Sequence, residues 1–344
     1  MPNEISDTIL LTGAGFTHNF GGFLAERMWA EIFNHPVIQE SGSWRIKDMM
    51  LADFNYESIY DQIVRNPNGL GFYENDKKAI IKAVSEAYKN LDESLVAYHR
   101  SNPNKEHALM GLLKHFAGDN STLGFFFTLN QDIFVERCYL ISGKPLKLPG
   151  TDIHEIPRRA VASKWEYELS GDDFITLKQN VDETLNYNSM SPSEFNYIKL
   201  HGSYNWRSSS GSEAIVIGLD KESHISREPL LKRYFEIFRE VISRPKTRLV
   251  VIGYSFRDKH VNKLIKEAIE NHDLKLIVIS TEGPQEFIDK FFEFDPVDKI
   301  IRESDKFPFG ESIINKGLAG YYPLQLQEDT IKKIVKDLFL TKKI

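Results

Sequence analysis

The chain has 344 residues, 41% hydrophobic and 27% charged, enough apolar material for one large domain or two small ones. Its 43 basic and 49 acidic residues give a formal net charge of −6, which supplies no electrostatic case for nucleic-acid binding. The single cysteine, Cys138, excludes an intrachain disulfide and a four-cysteine zinc centre.

The opening MPNEISDTILLTGAG carries acids and no basic segment, so it does not read as a signal peptide. No run approaches the roughly 20 apolar residues of a membrane span. The expectation is a soluble cytoplasmic protein that neither crosses a membrane nor binds nucleic acid directly.

Thr8 to Thr12 form a β-prone run that ends in Gly13-Ala14-Gly15, as a buried parallel strand entering a tight turn would. Gly22 to Asn34 reads as a helix, with Leu24, Met28 and Ile32 on one face and Pro36 beyond its end. From about Ser41 to Asn120 the pattern is helical. Ile81, Val84, Tyr88, Leu91, Leu95 and Tyr98 form a stripe, Leu109, Leu112, Leu113 and Phe116 repeat it, and Gly118 is a C-terminal stop. Strand character returns at Leu123 to Leu129, and a helix is predicted over Asp132 to Ile141. Gly143 to Ser193 is mixed and yields no firm elements. Four further strand-like runs follow: Tyr197–Leu200, Ala214–Leu219, Arg248–Ile252 and Leu274–Ile279. Between them lie a helix marked by Leu230, Tyr234, Phe238 and Ile242, and another marked by Val261, Leu264, Ile265 and Ala268. Asp258 is placed to cap the latter. Gln327 to Leu340 reads as a terminal helix with a basic tail.

Strands alternating with helices predict an α/β fold, Rossmann-like, with a mostly parallel sheet and helices on both faces. The expected organisation is a core over 1–40 and 119–285, an inserted helical module over 41–118, and a C-terminal extension over 286–344.

Ligands of open parallel sheets bind beyond the carboxyl ends of the strands. Four polar or glycine-rich clusters follow strand-like runs directly: Gly13-Ala14-Gly15-Phe16-Thr17, Asn130-Gln131-Asp132, His201-Gly202-Ser203 and Gly253-Tyr254-Ser255-Phe256. A glycine turn before a helix lets backbone approach a pyrophosphate, or it is simply a tight turn. The G-x-G-x-x-G pattern is not met, since His18 stands at its last position. Asn130 suits the positioning of a water or ribose hydroxyl, and Asp132 the acceptance of a carboxamide N–H. Both also suit a helix start. A neutral imidazole at His201 suits a general base, or a histidine satisfied near the surface. Gly253 permits close approach and Ser255 can bond a phosphate or ribose. Arg257 replaces the second glycine of a hydrolase elbow, which argues against a serine nucleophile. Ser280 and Thr281, after the last strand, are within reach of an adenosine, though a plain turn is the simpler reading. Trp206 and Arg207 could line a pocket, with packing as the default. No HExxH or paired Cys/His spacing points to a metal.

In order, TGAGFT, TLNQD, KLHGS and IGYSF resemble the loops of the sirtuin family, over roughly residues 8 to 282. Two features of sirtuin deacylases are missing: the zinc ribbon, and the G-I-P-D-F-R segment, whose place is taken by GGFLAERMW. The chain is more similar to bacterial sirtuin-like NAD hydrolases of antiphage defence, which lack zinc. That resemblance implies NAD as substrate, no zinc, and cleavage of the nicotinamide–ribose bond to nicotinamide and ADP-ribose. It implies a catalytic set of His201 as base, Asn130 orienting water and Asp132 holding the carboxamide. Gly13, Ala14, Gly15, Phe16, Thr17, Asn130, Gln131, Asp132, Gly253, Tyr254, Ser255 and Ser280 would bind the dinucleotide. It also implies a homo-oligomer, and a defence partner such as a HerA-type ATPase or an Argonaute-like protein. An NAD-dependent protein deacylase and a non-catalytic NAD or ADP-ribose sensor remain as alternatives.

Overall fold

The computed structural model describes residues 4–65, 71–102, 104–137, 140–141, 144–151, 174–178, 181, 185–208 and 213–279, with two short strands at 314–316 and 319–321. In chain order, β1 (Glu4–Ile5) and β2 (Thr8–Thr12) lead into α1 (Ala14–His18). A helical stretch follows: α2 (Ala25–Phe33), α3 (Pro36–Gln39), α4 (Trp44–Ala52), α5 (Tyr56–Val64), α6 (Glu74–Ser101) and α7 (Asn104–Lys114). Then come β3 (Thr122–Thr128), β4 (Leu140–Ile141), β5 (Lys144–Lys147), β6 (Ile175–Thr176), β7 (Phe195–Lys199), β8 (Gly202–Arg207) and β9 (Glu213–Ile215). The chain continues through α8 (Lys221–Arg227), α9 (Pro229–Ile242), β10 (Arg248–Ile252), α10 (Lys259–His272) and β11 (Lys275–Ile279). A short antiparallel pair, β12 (Ile314–Lys316) and β13 (Ala319–Tyr321), comes last.

The central sheet runs β11-β10-β2-β3-β7-β5-β4, with β1 paired to β3. Its pairs are parallel except for the β4–β5 hairpin. The predicted α/β sheet with helices on both faces is therefore what forms. The three phenylalanines of β3 show how both faces are covered. Phe125 and Phe127 share one side of the strand, and Phe127 packs edge-on against Phe238 of α9, 4.9 Å away. Phe126 points to the opposite side, where it meets Phe16 of α1 and Tyr197 of β7. All three rings are fully buried. A strand covered on both faces reads as an unbroken apolar run rather than an alternating one.

Three expectations need correction. Asp132 to Ile141 is not a helix: residues 132–137 turn, and Leu140–Ile141 is a strand. The Asp132 carboxylate accepts from the Phe134 N–H at 3.0 Å and Arg137 N–H donates to Ile133 O at 3.3 Å, so a single capped turn forms in place of the longer helix. The run Ala214–Leu219 is strand only over Glu213–Ile215, and it belongs to a separate small sheet, β6-β8-β9. Asp258 occupies the N-cap position of α10, but its side chain makes no capping bond. Lys221 holds it instead.

The stripe on α6 is a core face: Val84, Tyr88, Leu91 and Leu95 are buried there. Gly118 ends the helical stretch with φ +68°. Among the described residues no helix is long and apolar enough to cross a membrane. Cys138, Ser280, Thr281 and the expected terminal helix Gln327 to Leu340 lie outside the described residues.

Candidate functional site

Five parallel strands end level with one another. Ile279 of β11 pairs with Ile252 of β10, Ile252 with Thr12 of β2, Thr12 with Thr128 of β3, and Thr128 with Lys199 of β7. The loops that begin at Gly13, Leu129, Leu200 and Gly253 therefore leave one rim of the sheet in register. Thr12 Oγ1 donates to Thr128 Oγ1 at 2.9 Å beneath them.

The first and fourth loops pack backbone to backbone. Gly13 N–H donates to Ile252 O at 3.1 Å, and Gly15 N–H to Gly253 O at 2.9 Å. A Cβ on Gly253 would lie 2.2 Å from Phe16 N, and φ there is +66°. These glycines thus serve a loop–loop contact. Of the residues expected to bind a dinucleotide here, Ala14 and Ser255 are exposed, and Gly15 and Gly253 are half-buried. Phe16 is core, its ring among Phe20, Phe126 and Phe134. Tyr254 turns its hydroxyl to Asn262 Oδ1, 3.0 Å away, and to the start of α10.

The second loop reaches across to the first. Asn130 Nδ2 donates to Gly13 O at 3.1 Å and to Thr17 Oγ1 at 3.4 Å. Its Oδ1 accepts from no described residue. Gln131 is tied down at both ends, donating to Val216 O at 2.8 Å and accepting from the Tyr88 hydroxyl of α6. Asp132 is buried; burial raises its pKa, opposed by Lys199, the Phe134 N–H and Thr17.

His201 follows β7 and is only 3% exposed. Its ring lies near-parallel to Phe235 of α9, centroids 6.3 Å apart, and its Nε2 is 3.0 Å from Nε2 of His260 on α10. Nδ1 has no hydrogen-bond partner among the described residues. Burial pushes the imidazole down to about 3; Asp258 opposes this, while Lys221 and His260 add to it. The ring is therefore neutral at ordinary pH. The Asn130 amide faces the glycine loop and the His201 ring faces α9 and α10. Tyr204 N–H of β8 donates to Gln131 O at 3.0 Å and ties the chain after His201 to the second loop, while Val216 N–H, beyond β9, donates to His201 O at 3.0 Å.

The family model of the SIR2-like domain matches residues 124–295, half of the chain. This chain belongs to the SIR2-like family. No curated protein matches it in sequence. Membership gives the chain a sirtuin-like, NAD-related function. The SIR2-like match includes the loops of Asn130, His201 and Gly253. The glycine loop at 13–17 lies before it and joins the same rim through strand pairing.

Several charged residues around the SIR2-like site escaped sequence reasoning. Lys199, at the end of β7, is fully buried; it bonds the Asp132 carbonyl and pairs with Glu136 Oε1 at 2.6 Å. A lysine inside an apolar strand run was the available signal. Lys221 of α8 bridges Glu57 of α5 and Asp258, at 2.9 and 2.8 Å. Ligand atoms of His201, Asp258 and His260 lie within 4.8 Å of one another, a cluster that short-range spacing rules do not register. The Lys221 ammonium already supplies the cation beside that carboxylate. A cleft of about 380 Å³ between α8, α9 and α10 reaches His260 and Phe235.

Proposed function

We propose that this SIR2-like chain hydrolyses NAD to nicotinamide and ADP-ribose at the rim formed by its four loops. The in-register ending of β2, β3, β7 and β10 carries the reading. It brings the loops that carry Asn130, His201, the Gly13–Thr17 turn and Ser255 to one edge of a parallel sheet, where such sheets bind nucleotides.

Nicotinamide leaves with the electron pair of its C–N bond, and the ribose becomes oxocarbenium-like. Water then adds at the anomeric carbon and releases a proton. In this reading Asn130 Oδ1 accepts from that water and holds it, while Nδ2 stays anchored to Gly13 and Thr17. His201 Nδ1 takes the proton. A weak base is sufficient, because water adding to a cation is strongly acidified. Asp132 would face the carboxamide, Ala14, Gly15 and Ser255 the phosphates and ribose, and Ser280 the adenosine end. Gln131, engaged at both ends, supports the loop.

The same proposal makes the chain a cytoplasmic, homo-oligomeric effector of antiphage defence that consumes NAD when triggered. A HerA-type ATPase or an Argonaute-like protein would be its partner. It treats 41–118 as an inserted module and 286–344 as an extension. The loop resemblance supports these parts.

The test is release of nicotinamide and ADP-ribose by the full chain, alone and with the product of a neighbouring gene, followed by mass spectrometry. His201→Ala should lower kcat by about 10²-fold or more. Wild-type turnover in that variant removes His201 from the reaction. Consumption of NAD only with an acylated lysine peptide would make the chain a deacylase, and NAD bound but left intact would make it a sensor. Because His201 is unprotonated above about 3, its protonation should produce no inflection in kcat around neutral pH. Loss should set in only as acid protonates the ring. A kcat profile from pH 8 downward checks this, and an inflection near 6.5 that vanishes in His201→Ala contradicts it.

A further inference from the structure

A part-buried polar chain lies beside the site. It runs from Glu57 on α5 through Lys221 on α8 to Asp258 and His260 at the start of α10, and ends on His201. Asp258 leaves the backbone N–H groups of its own helix uncapped and faces Lys221 and the two imidazoles. Two imidazole nitrogens 3.0 Å apart can bond only if one carries hydrogen and the other accepts it.

We propose that His260 and Asp258 form the proton-receiving arm of His201. Before reaction, His201 carries its hydrogen on Nε2 and donates it to Nε2 of His260, which leaves the lone pair of His201 on Nδ1. As Nδ1 takes a proton from the attacking water, the Nε2 hydrogen passes to His260. One O–H bond breaks and one N–H forms at Nδ1. One N–H breaks at Nε2 of His201 and one forms at Nε2 of His260. Nothing is oxidised or reduced, and His201 ends neutral.

The surroundings favour this transfer. A charge kept on His201 would sit against the Phe235 ring in a site 3% exposed, where burial penalises it. His260 is half-buried and lines the solvent-open cleft, so it offers the proton a way out. Burial also lowers the His260 pKa; Asp258 opposes this, Lys221 adds to it and Glu222 opposes it. Asp258 and Lys221 face both rings. Burial works against the Asp258 charge, but His201, Lys221 and His260 outweigh it and hold the carboxyl ionised. Glu57 in turn balances Lys221, so a helix of the inserted stretch contributes to the proton path.

The inference rests on His201 as the base, and two readouts separate the two ideas. In the full chain, with any activator it requires, His260→Gln should lower kcat about 10-fold or more while KM stays within about twofold. Glutamine can hold the ring of His201 but cannot take its proton. Nitrogen-15 spectra of the histidine side chains need no turnover. They should place the His201 hydrogen on Nε2 in the wild type, and Asp258→Asn should make the pair harder to protonate. Full activity in a folded His260→Gln beside a dead His201→Ala overturns the arm and leaves the base standing. Full activity in His201→Ala removes the base first. A His201 hydrogen on Nδ1, titration unmoved by Asp258→Asn, or stoichiometric zinc on these rings in the purified chain also overturns the arm.

Discussion

Gly253→Ala should destabilise the protein by about 2–5 kcal/mol, a large fraction of a normal folding free energy. Two costs combine. Gly253 has φ +66°, a left-handed conformation that costs a side-chain-bearing residue about 1–2 kcal/mol. The new Cβ would also lie 2.2 Å from Phe16 N, 2.4 Å from Gly15 C and 2.7 Å from Gly15 Cα. All three are backbone atoms, so no rotamer change relieves the contact, and overpacking of this kind costs about 1–3 kcal/mol. The relief open to the chain is to push α1 away from β10. That would break the Gly15 N–H bond to Gly253 O and disturb the anchor of Asn130 on Gly13. The denaturation midpoint in urea measures the effect. Ser255→Ala, two residues on and exposed, is the matched control: its stability should change by no more than about 0.5 kcal/mol, while NAD binding weakens if this side chain holds a ribose or phosphate. A Gly253→Ala protein as stable as wild type would mean that the two loops are not packed as described.

The glycine result illustrates what the sequence could and could not convey. TILLT and RLVVI were legible as strands because a strand covered on both faces is apolar at every position, and their bounds coincide with β2 and β10. The loops were legible because each follows such a run. What Gly253 packs against was not, since its partners lie at Gly15 and Phe16, far away in the chain. The predicted helix over Asp132 to Ile141 failed for the same reason. Ile133, Phe134 and Val135 are buried as expected of an apolar face, but Glu136 and Arg137 are buried beside them. Their partners are Lys199 and, at 2.5 Å, Asp92 of α6. Two long-range ion pairs override local helical preference there. No strand is read over GSYNWR in the sequence; tertiary pairing with β6 and β9 makes it β8. Asp258 read as a cap because sequence records position, not the direction a carboxylate takes.

Lys199→Met should cost about 3–5 kcal/mol, the effect of removing one partner from a buried pair. Lys199 and Glu136 expose 0% and 2% of their side chains, so water cannot replace the lost ammonium. Glu136 Oε2 already lacks a hydrogen-bond partner among the described residues, which leaves the carboxylate little compensation. The sign of the pH dependence follows from its titration. Burial raises the Glu136 pKa, and Lys199 is the main force lowering it. Without the lysine, the folded state holds a proton on Glu136 more tightly than the unfolded chain does. The variant should therefore recover stability as pH falls and lose it as pH rises through the folded value. Urea midpoints of wild type and variant across the acid to neutral range read this directly, and a gap that does not narrow in acid would show that Glu136 is not left charged. Lys199→Met combined with Glu136→Leu should regain part of the loss, since an apolar pair can replace a buried ion pair. Recovery should stop short, because Lys199 also donates to the Asp132 carbonyl, and an unmet buried acceptor costs about 1–3 kcal/mol. That remaining deficit falls on the loop that carries Asn130. The double variant should accordingly fold well yet bind or turn over NAD less well than wild type, and wild-type handling of NAD would break the link between this lysine and the site.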